Sequence, residues 1–252
     1  AAQSAMCAAI TGVTPEYGLL LEQNRAGDVL IQVEADVDSE YDYELLGYIT
    51  PKKMGQAYHC PVFNGLSKQT TSEQLMDLGT QLNIHGIVPM FHVVGVTPEA
   101  ADVHTAFLGR KDPPVVTITN EDLAQARAEI SAGTGKADFC ILGCPHLTIN
   151  QVGSIAKMLD GQQLAGQLYI FTSTSTKELA QRMGYLDIIH KAGGEIVINS
   201  CVDQPCWSHL YGMSGVTESP KCAYYTKRWN MTFTVKSIPA CIQSVLKGEI
   251  VS

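Results

Sequence analysis

Short apolar segments alternate with helical segments through the second half of the chain. The apolar segments span residues 138–143, 168–171 and 195–199, and the helices are predicted at 149–160, 176–183 and 186–192. Strands that alternate with single helices over short links form parallel sheets with right-handed crossovers. This half of the chain is therefore predicted to be α/β, with the carboxyl ends of its strands at one edge of a sheet.

Cys144 follows the first of these strands and precedes its helix. Thr148–Gln151 has the Thr-x-x-Gln form of a capping box, which places the start of the helix just after the cysteine. Ligands of open α/β sheets bind at the carboxyl edge, and helix amides favour a nearby thiolate. Cys201 follows the third strand and is expected at the same edge. Spacing alone leaves two interpretations open, a metal or reactive-thiol pair and two inert packing residues.

Other side chains at this edge also have alternative interpretations. The hydroxyl-rich segment Thr172–Thr176 could hold a carboxylate or phosphate, or could simply cap a helix. His146 could be a ligand, a proton-transfer group or a residue that leads into the helix. Lys221 would ordinarily be a solvated surface charge. Cys140, inside a strand, is expected to be a small core residue.

The rest of the chain is also predicted to be α/β, divided at Pro113-Pro114 into subdomains of residues 1–113 and 114–252. Strands are predicted at 17–21, 29–34, 61–63, 87–96 and 232–235, the first two as a hairpin and the fourth buried on both faces. Helices are predicted at 41–49, 71–84, from 97, 119–132 and 238–247, with loops at 51–56 and 207–219.

Composition excludes several classes of function. The chain carries 17 Lys and Arg against 25 Asp and Glu, with a net charge of -8 and no basic cluster, which argues against nucleic acid and anionic membranes as partners. We find no apolar run of about 18 residues, as a membrane span requires, and expect a cytoplasmic protein. Eight cysteines then indicate thiols or metal ligands, although their spacing is not that of a zinc site. Because the sequence does not begin with methionine, we expect a fragment of a longer protein.

A series of motifs resembles the aconitase X family, and the resemblance runs almost end to end. In the second half these are Gly143–His146, the Thr172–Thr176 segment with Ala180–Gly184, Ala192–Gly194 before the strand that leads to Cys201, and Thr217–Tyr225. In the first half they are Ala8–Gly12, Thr14–Gly18, Glu22–Arg25 and above all Phe91–Ala100. The resemblance implies an aconitase-like three-layer α/β/α fold with parallel or mixed sheets, in which two subdomains form one catalytic unit.

The same resemblance implies a dehydratase that removes water from a hydroxy acid by means of iron, as a 2Fe-2S cluster or a mononuclear ion. Carried onto this sequence, Cys144 and Cys201 are the metal ligands. The substrate carboxylate is expected on Thr172, Ser173, Thr174 and Ser175. Lys221 is expected to contact the substrate, and His146 to relay a proton or orient a ligand.

Known members of the family act on cis-3-hydroxy-L-proline, which gives pyrroline-2-carboxylate, or on mevalonate 5-phosphate, and the motifs favour the first substrate. The family pattern also implies a third cysteine upstream and a small swivel domain or subunit that supplies the catalytic serine. Two other kinds of function stay open. One is a non-catalytic binding or assembly fragment, and the other is a thiol-based redox domain that uses Cys144 or Cys201 without iron.

Overall fold

Two parallel sheets organise the chain in a computed structural model that describes residues 2–55, 57–131 and 133–251. The first sheet has the order β3-β2-β1-β4, with β1 at Val29–Val33, β2 at Pro61–Asn64, β3 at His92–Val93 and β4 at Val115–Ile118. The second has the order β7-β6-β5-β8-β9, with β5 at Phe139–Leu142, β6 at Gln167–Thr172, β7 at Gly194–Ile198, β8 at Ser214–Thr217 and β9 at Thr232–Val235. Every strand pair in both sheets is parallel.

Helices connect these strands. They are α1 (Ala2–Thr11), α2 (Glu40–Met54), α3 (Ser72–Gln81), α4 (Val103–Ala106), α5 (Asn120–Ser131), α6 (Ile149–Leu159), α7 (Thr174–Arg182), α8 (Tyr185–Ala192), α9 (Pro220–Thr226) and α10 (Ile238–Lys247). Short 3-10 helices lie at Gly18–Leu20, Glu22–Asn24, Pro205–Leu210 and Lys227–Trp229. None of the described helices is both long enough and apolar enough to cross a membrane.

Both faces of the second sheet are covered, as the buried strand β5 shows. Cys140 and Leu142 pack into a core formed with α6, α8 and α10, as expected for Cys140. Phe139 and Ile141 point to the other face and pack against Phe171 and Trp207. The first sheet likewise has a core on each face. These layers confirm the predicted α/β/α architecture with parallel sheets.

The predicted capping boxes are confirmed. The Thr71 hydroxyl accepts a hydrogen bond from the amide of Gln74 (3.2 Å), whose side chain accepts one from the Thr71 amide (2.9 Å). Thr148 and Gln151 make the same pair of bonds at the start of α6 (3.3 and 2.9 Å). Because these bonds satisfy amides that a first turn leaves free, both helix starts could be predicted from sequence.

Several predicted elements of the first half are wrong. Residues 17–21 form a 3-10 turn and not a strand, so the predicted hairpin is absent from this described segment. Within 87–96 only His92–Val93 is a strand, and Ile87 is 75% exposed. The helix expected from residue 97 is the short α4, which begins at Val103 behind an Asp102 cap. An apolar run alone does not distinguish a buried strand from a loop that covers a core.

The loop predicted at 51–56 is helical as far as Met54, and Gln56 lies outside the described residues. Pro51 is buried inside α2, which packs between α3 and α5. Burial of this helix offsets the free energy that is lost because proline cannot donate a backbone hydrogen bond. The helix predicted at 119–132 is α5, Asn120–Ser131, and Ala132 likewise lies outside the described residues.

The loop predicted at 207–219 contains β8, which lies between β5 and β9 in the second sheet. Gly215 of β8 packs against the Phe139 ring, and a Cβ at this position would lie 2.5 Å from the ring. Because glycine leaves room for the ring, a strand with little apolar content fits there. Strand β4 follows Pro113-Pro114 and pairs with β1. The strands of the first sheet therefore end at Ile118, and those of the second begin at Phe139.

Candidate active site at the carboxyl edge of the second sheet

The predicted site residues follow the carboxyl ends of parallel strands. Cys144 follows β5, Ser173 follows β6, Cys201 follows β7 and Lys221 follows β8. Since these strands are neighbours in one parallel sheet, the four segments emerge at the same edge. This edge is where ligands bind in open α/β sheets.

The turn that carries Cys144 is fixed by two contacts. Gly143 has φ +114°, and a Cβ there would lie 2.3 Å from the carbonyl oxygen of Phe171, so the position requires glycine. The amides of Gly143 and Cys144 both donate to Oε1 of Glu218, at 2.6 and 3.1 Å. The peptide bond between Cys144 and Pro145 is cis.

Glu218 is a site residue to which the sequence analysis assigned no role. It is only 4% exposed, and burial raises the pKa of its carboxyl group, an effect that the amides of Gly143 and Cys144 and the Thr217 hydroxyl oppose. The signal that could have identified Glu218 is its place within Thr217–Tyr225, one of the segments that carry the family resemblance. Its contact with the Cys144 turn crosses from β8 to β5.

The Cys144 thiol is half-buried, and burial raises its pKa to about 11. The Ser219 hydroxyl and the Lys221 charge oppose this shift, whereas the charges of Glu218 and Cys201 add to it. The expected stabilisation of a thiolate by a helix N-terminus is therefore outweighed by burial.

His146 contacts the loop that carries Cys201. Its Nε2 lies 3.0 Å from the carbonyl oxygen of Ser200, to which it donates. A cavity of about 520 Å³ opens here, lined by His146, Asn199, Ser200, Cys201, Gln204, Pro205 and Cys206. Cys201 is exposed at its rim.

The four hydroxyl residues separate into two groups. Thr172 is fully buried, and its hydroxyl donates to the carbonyl of Leu147 at 2.6 Å, so this side chain supports the Cys-Pro-His turn from within. Ser173 caps α7 by accepting from the Thr176 amide at 3.1 Å. Thr174 donates to Oδ1 of Asn199 at 3.2 Å, and Ser175 lies 2.9 Å from Ser173. Ser173, Thr174 and Ser175 are exposed at the edge, unlike Thr172.

Lys221 lies in the first turn of α9, where its amide donates to Oε1 of Gln81 at 2.9 Å. Nε2 of Gln81 lies 3.3 Å from Oγ of Ser219, to which it donates. Gln81 is fully buried and belongs to α3, beside the first sheet. It is a second site residue that sequence reasoning missed, because helical spacing indicated only a place on a packed face.

The thiols were predicted to be metal ligands. All eight cysteines are free, and Cys144 and Cys201 are two donors of the kind that iron–sulfur clusters use. Within residues 2–55, 57–131 and 133–251 no group of three His, Cys, Asp or Glu side chains is placed to hold a metal ion. The two thiols have the chemistry of iron ligands, but the described residues alone do not complete such a site.

This fold and its thiol-bearing edge define a pair of parallel α/β units of the aconitase-like class. Two family models match the chain, the aconitase X second domain over residues 27–128 and the aconitase X third domain over residues 137–247. The crystal structure of Thermococcus kodakaraensis aconitase X in its holo-form superimposes with a TM-score of 0.82 at 30% identity, over 96% of this chain and 61% of that one. The chain belongs to the aconitase X family.

Curated relatives include two kinds of dehydratase. The phosphomevalonate dehydratase large subunit of Methanothermobacter thermautotrophicus is 36% identical over 222 residues, which are 88% of this chain and 53% of that protein. The cis-3-hydroxy-L-proline dehydratase of Pseudomonas aeruginosa is 33% identical over 210 residues, 79% of this chain and 36% of that protein. The chain thus spans about half or less of these two proteins.

Proposed function

We propose that the chain is part of a hydro-lyase that eliminates water from a small hydroxy acid at the carboxyl edge of its second sheet. The observation that carries this proposal is the convergence of Cys144, Lys221 and the Ser173 segment at one edge in an aconitase X fold. Relatives that share this fold are dehydratases.

We further propose that Cys144 and Cys201 hold iron or an iron–sulfur cluster together with a ligand from another segment. When bound, such a centre supplies a Lewis acid for the departing hydroxyl group. Because the pKa of Cys144 is about 11, its thiol must lose a proton to become a ligand. The Ser219 hydroxyl and the Lys221 ammonium favour that loss.

The remaining residues position this chemistry. Glu218 fixes the Cys144 turn through two amides, and His146 ties this turn to the Cys201 loop. Ser173, Thr174 and Ser175 present hydroxyls beside the first amides of α7, which suits a substrate carboxylate. Lys221 would contact the substrate from the opposite side of β5.

Two substrates fit the relatives, and they differ in charge. Cis-3-hydroxy-L-proline carries a secondary ammonium group, whereas mevalonate 5-phosphate carries a phosphate. The identities to the two kinds of relative are close, at 36% for the phosphomevalonate enzyme and 33% for the hydroxyproline enzyme. An assay with both substrates therefore decides between them.

We propose that a partner segment, a small swivel domain or subunit, completes the site and supplies the base. One relative is named as a large subunit, which supports a second subunit. Exposed apolar side chains at the start of the chain also suit a covering segment; they are Met6, Ile10, Val13, Tyr17 and Leu20. The free thiols support a reducing compartment such as the cytoplasm.

The test is to produce the chain together with the segments by which its relatives are longer, and to measure iron and sulfide under anaerobic conditions. We expect iron in the wild type, and loss of most of it in Cys144→Ser and in Cys201→Ser. Cys206→Ser is the matched control, because Cys206 is exposed and lines the same cavity as Cys201. Dehydration of both substrates is then assayed. Equal iron content in all variants, or none in the wild type, would contradict the proposal.

A further inference from the structure

A second and larger cavity lies between the two sheets. It has a volume of about 860 Å³ and is lined by the amino-terminal parts of α2, α3, α6 and α10. Six acidic side chains line it, namely Glu40, Asp42, Glu44, Glu73, Asp77 and Glu218. Among the lining residues that the structure describes, the only Lys or Arg is Arg127. Its guanidinium lies 3.3 Å from Asp42 and is 54% exposed.

Three of these carboxyl groups are buried. Glu44 is 2% exposed, Asp77 4% and Glu218 4%. Glu218 has its amide donors, but Oδ2 of Asp77 has no hydrogen-bond partner in the described parts of the chain. A buried carboxyl oxygen without a partner is costly, so this atom indicates a donor other than the described residues.

Two neighbouring acids, Glu40 and Glu73, have neutral amide donors in the described parts of the chain. Glu40 accepts from the side-chain amide of Gln151 at 2.8 Å, and Glu73 from that of Asn150 at 3.4 Å. The carboxylates therefore repel one another, and no buried Lys, Arg or His among the described lining residues offsets this repulsion. The pKa of Asp77 is raised to about 8 by burial and by the charges of Glu40, Glu218 and Glu73.

A donor that suits this cavity is positively charged and larger than a metal ion. No described group of three acidic, His or Cys side chains could hold a metal. The carboxyl groups are instead distributed around a cavity of about 860 Å³. Ammonium and guanidinium groups carry several N–H donors, which can reach separate carboxylate oxygens.

We propose that this acidic cavity binds an organic cation whose ammonium or guanidinium group pairs with Asp77, Glu44 and Glu218. The cation is either a free amine or a Lys or Arg side chain of a protein segment. The cavity adjoins the candidate active site through Glu218, but neither Cys144 nor Cys201 lines it, so the cation site is distinct from the proposed thiol centre.

The test is isothermal titration calorimetry of the full chain with agmatine, which has a guanidinium and an ammonium group. We expect saturable binding to the wild type, and at least tenfold weaker binding to Asp77→Asn and to Glu44→Gln. Asp187→Asn is the matched control, because Asp187 is exposed on α8 and does not line the cavity. 1-Butanol is the uncharged control ligand and is expected not to bind.

Circular dichroism establishes that each variant is folded, and Glu44→Gln keeps the test valid if Asp77→Asn does not fold. A blocked Gly-Arg-Gly peptide distinguishes the two sources of the cation. Tighter binding of the peptide indicates a protein side chain, and tighter binding of agmatine indicates a free amine. The proposal is overturned if neither ligand binds, if Asp77→Asn binds agmatine as the wild type does, or if magnesium chloride alone binds with the same dependence on Asp77.

Discussion

The imidazole of His146 donates a hydrogen bond to the carbonyl oxygen of Ser200 at 3.0 Å. This bond joins the loop after β5, which carries Cys144, to the loop after β7, which carries Cys201. Strand β6 lies between those two strands, so the sheet alone does not bring the loops together. We therefore propose that His146 holds the two cysteine-bearing loops together.

Replacing His146 with alanine should loosen the Cys201 loop. We expect the free energy of unfolding to fall by about 1 kcal/mol, as for one lost hydrogen bond. Amide hydrogen exchange in residues 199–206 should become faster. His190→Ala is the control, because His190 is exposed on α8, away from both loops. Unchanged exchange in 199–206 would show that the bond does not restrain the loop.

Replacing Gln81 with leucine should destabilise the contact between α3 and α9. The Lys221 amide loses its acceptor, and the Ser219 hydroxyl loses one of its two donors and keeps the Cys222 amide. Donors and acceptors left unpaired inside a protein cost about 1–3 kcal/mol, which urea denaturation measures. Gln181→Leu, on the exposed face of α7, should change stability by less than about 0.5 kcal/mol. Equal effects of the two substitutions would contradict this role.

Local signals in the sequence were sufficient for much of the second sheet. The capping box of Thr148 and Gln151 depends only on residues three apart, so it could be recognised directly. Alternation of strands and helices implied a parallel sheet. Because Cys144 and Cys201 each follow a strand of that sheet, they could be predicted to lie at the same edge. The raised pKa of the Cys144 thiol could not be predicted, because it depends on burial by distant segments.

Contacts between remote segments account for the residues that were missed. Glu218 is 75 residues from Gly143, and Gln81 is 138 residues from Ser219. Each is a polar residue whose partners are set by tertiary packing, and no spacing in one sequence records such a pairing. Strand β8 was missed for a similar reason, since Gly215 fits against Phe139 only once the sheet has formed.

Gly143→Ala should disrupt the Cys144 turn. The new Cβ would lie 2.3 Å from the Phe171 carbonyl oxygen in a backbone with φ +114°. We expect a loss of at least about 3 kcal/mol in unfolding free energy, or failure to fold. Gly161→Ala is the matched control, since Gly161 has φ +69° with nothing within 4 Å, and should cost about 1 kcal/mol. Thermal unfolding compares the two, and similar melting temperatures would refute the argument.

Asp77 should make the stability of the protein depend on pH in a defined direction. Its pKa is about 8 in the folded protein, against an ordinary value of 3.8, so between these values the folded state holds a proton that the unfolded state releases. Stability from this group is therefore greatest at low pH and falls as pH rises to about 8. Asp77→Asn has no such proton to lose.

Urea unfolding at pH 5.5, 7 and 8.5 tests this dependence. Because one pKa unit corresponds to about 1.4 kcal/mol, the wild type should lose about 3 kcal/mol more than Asp77→Asn between the first and last pH. Glu44 and Glu218 also have raised pKa values and remain in both proteins, so the difference reports Asp77 together with the effect of its charge on Glu44. Parallel pH profiles would show that Asp77 is ionised throughout. Saturating agmatine should flatten the wild-type profile, because a bound cation favours the ionised carboxylate and lowers its pKa.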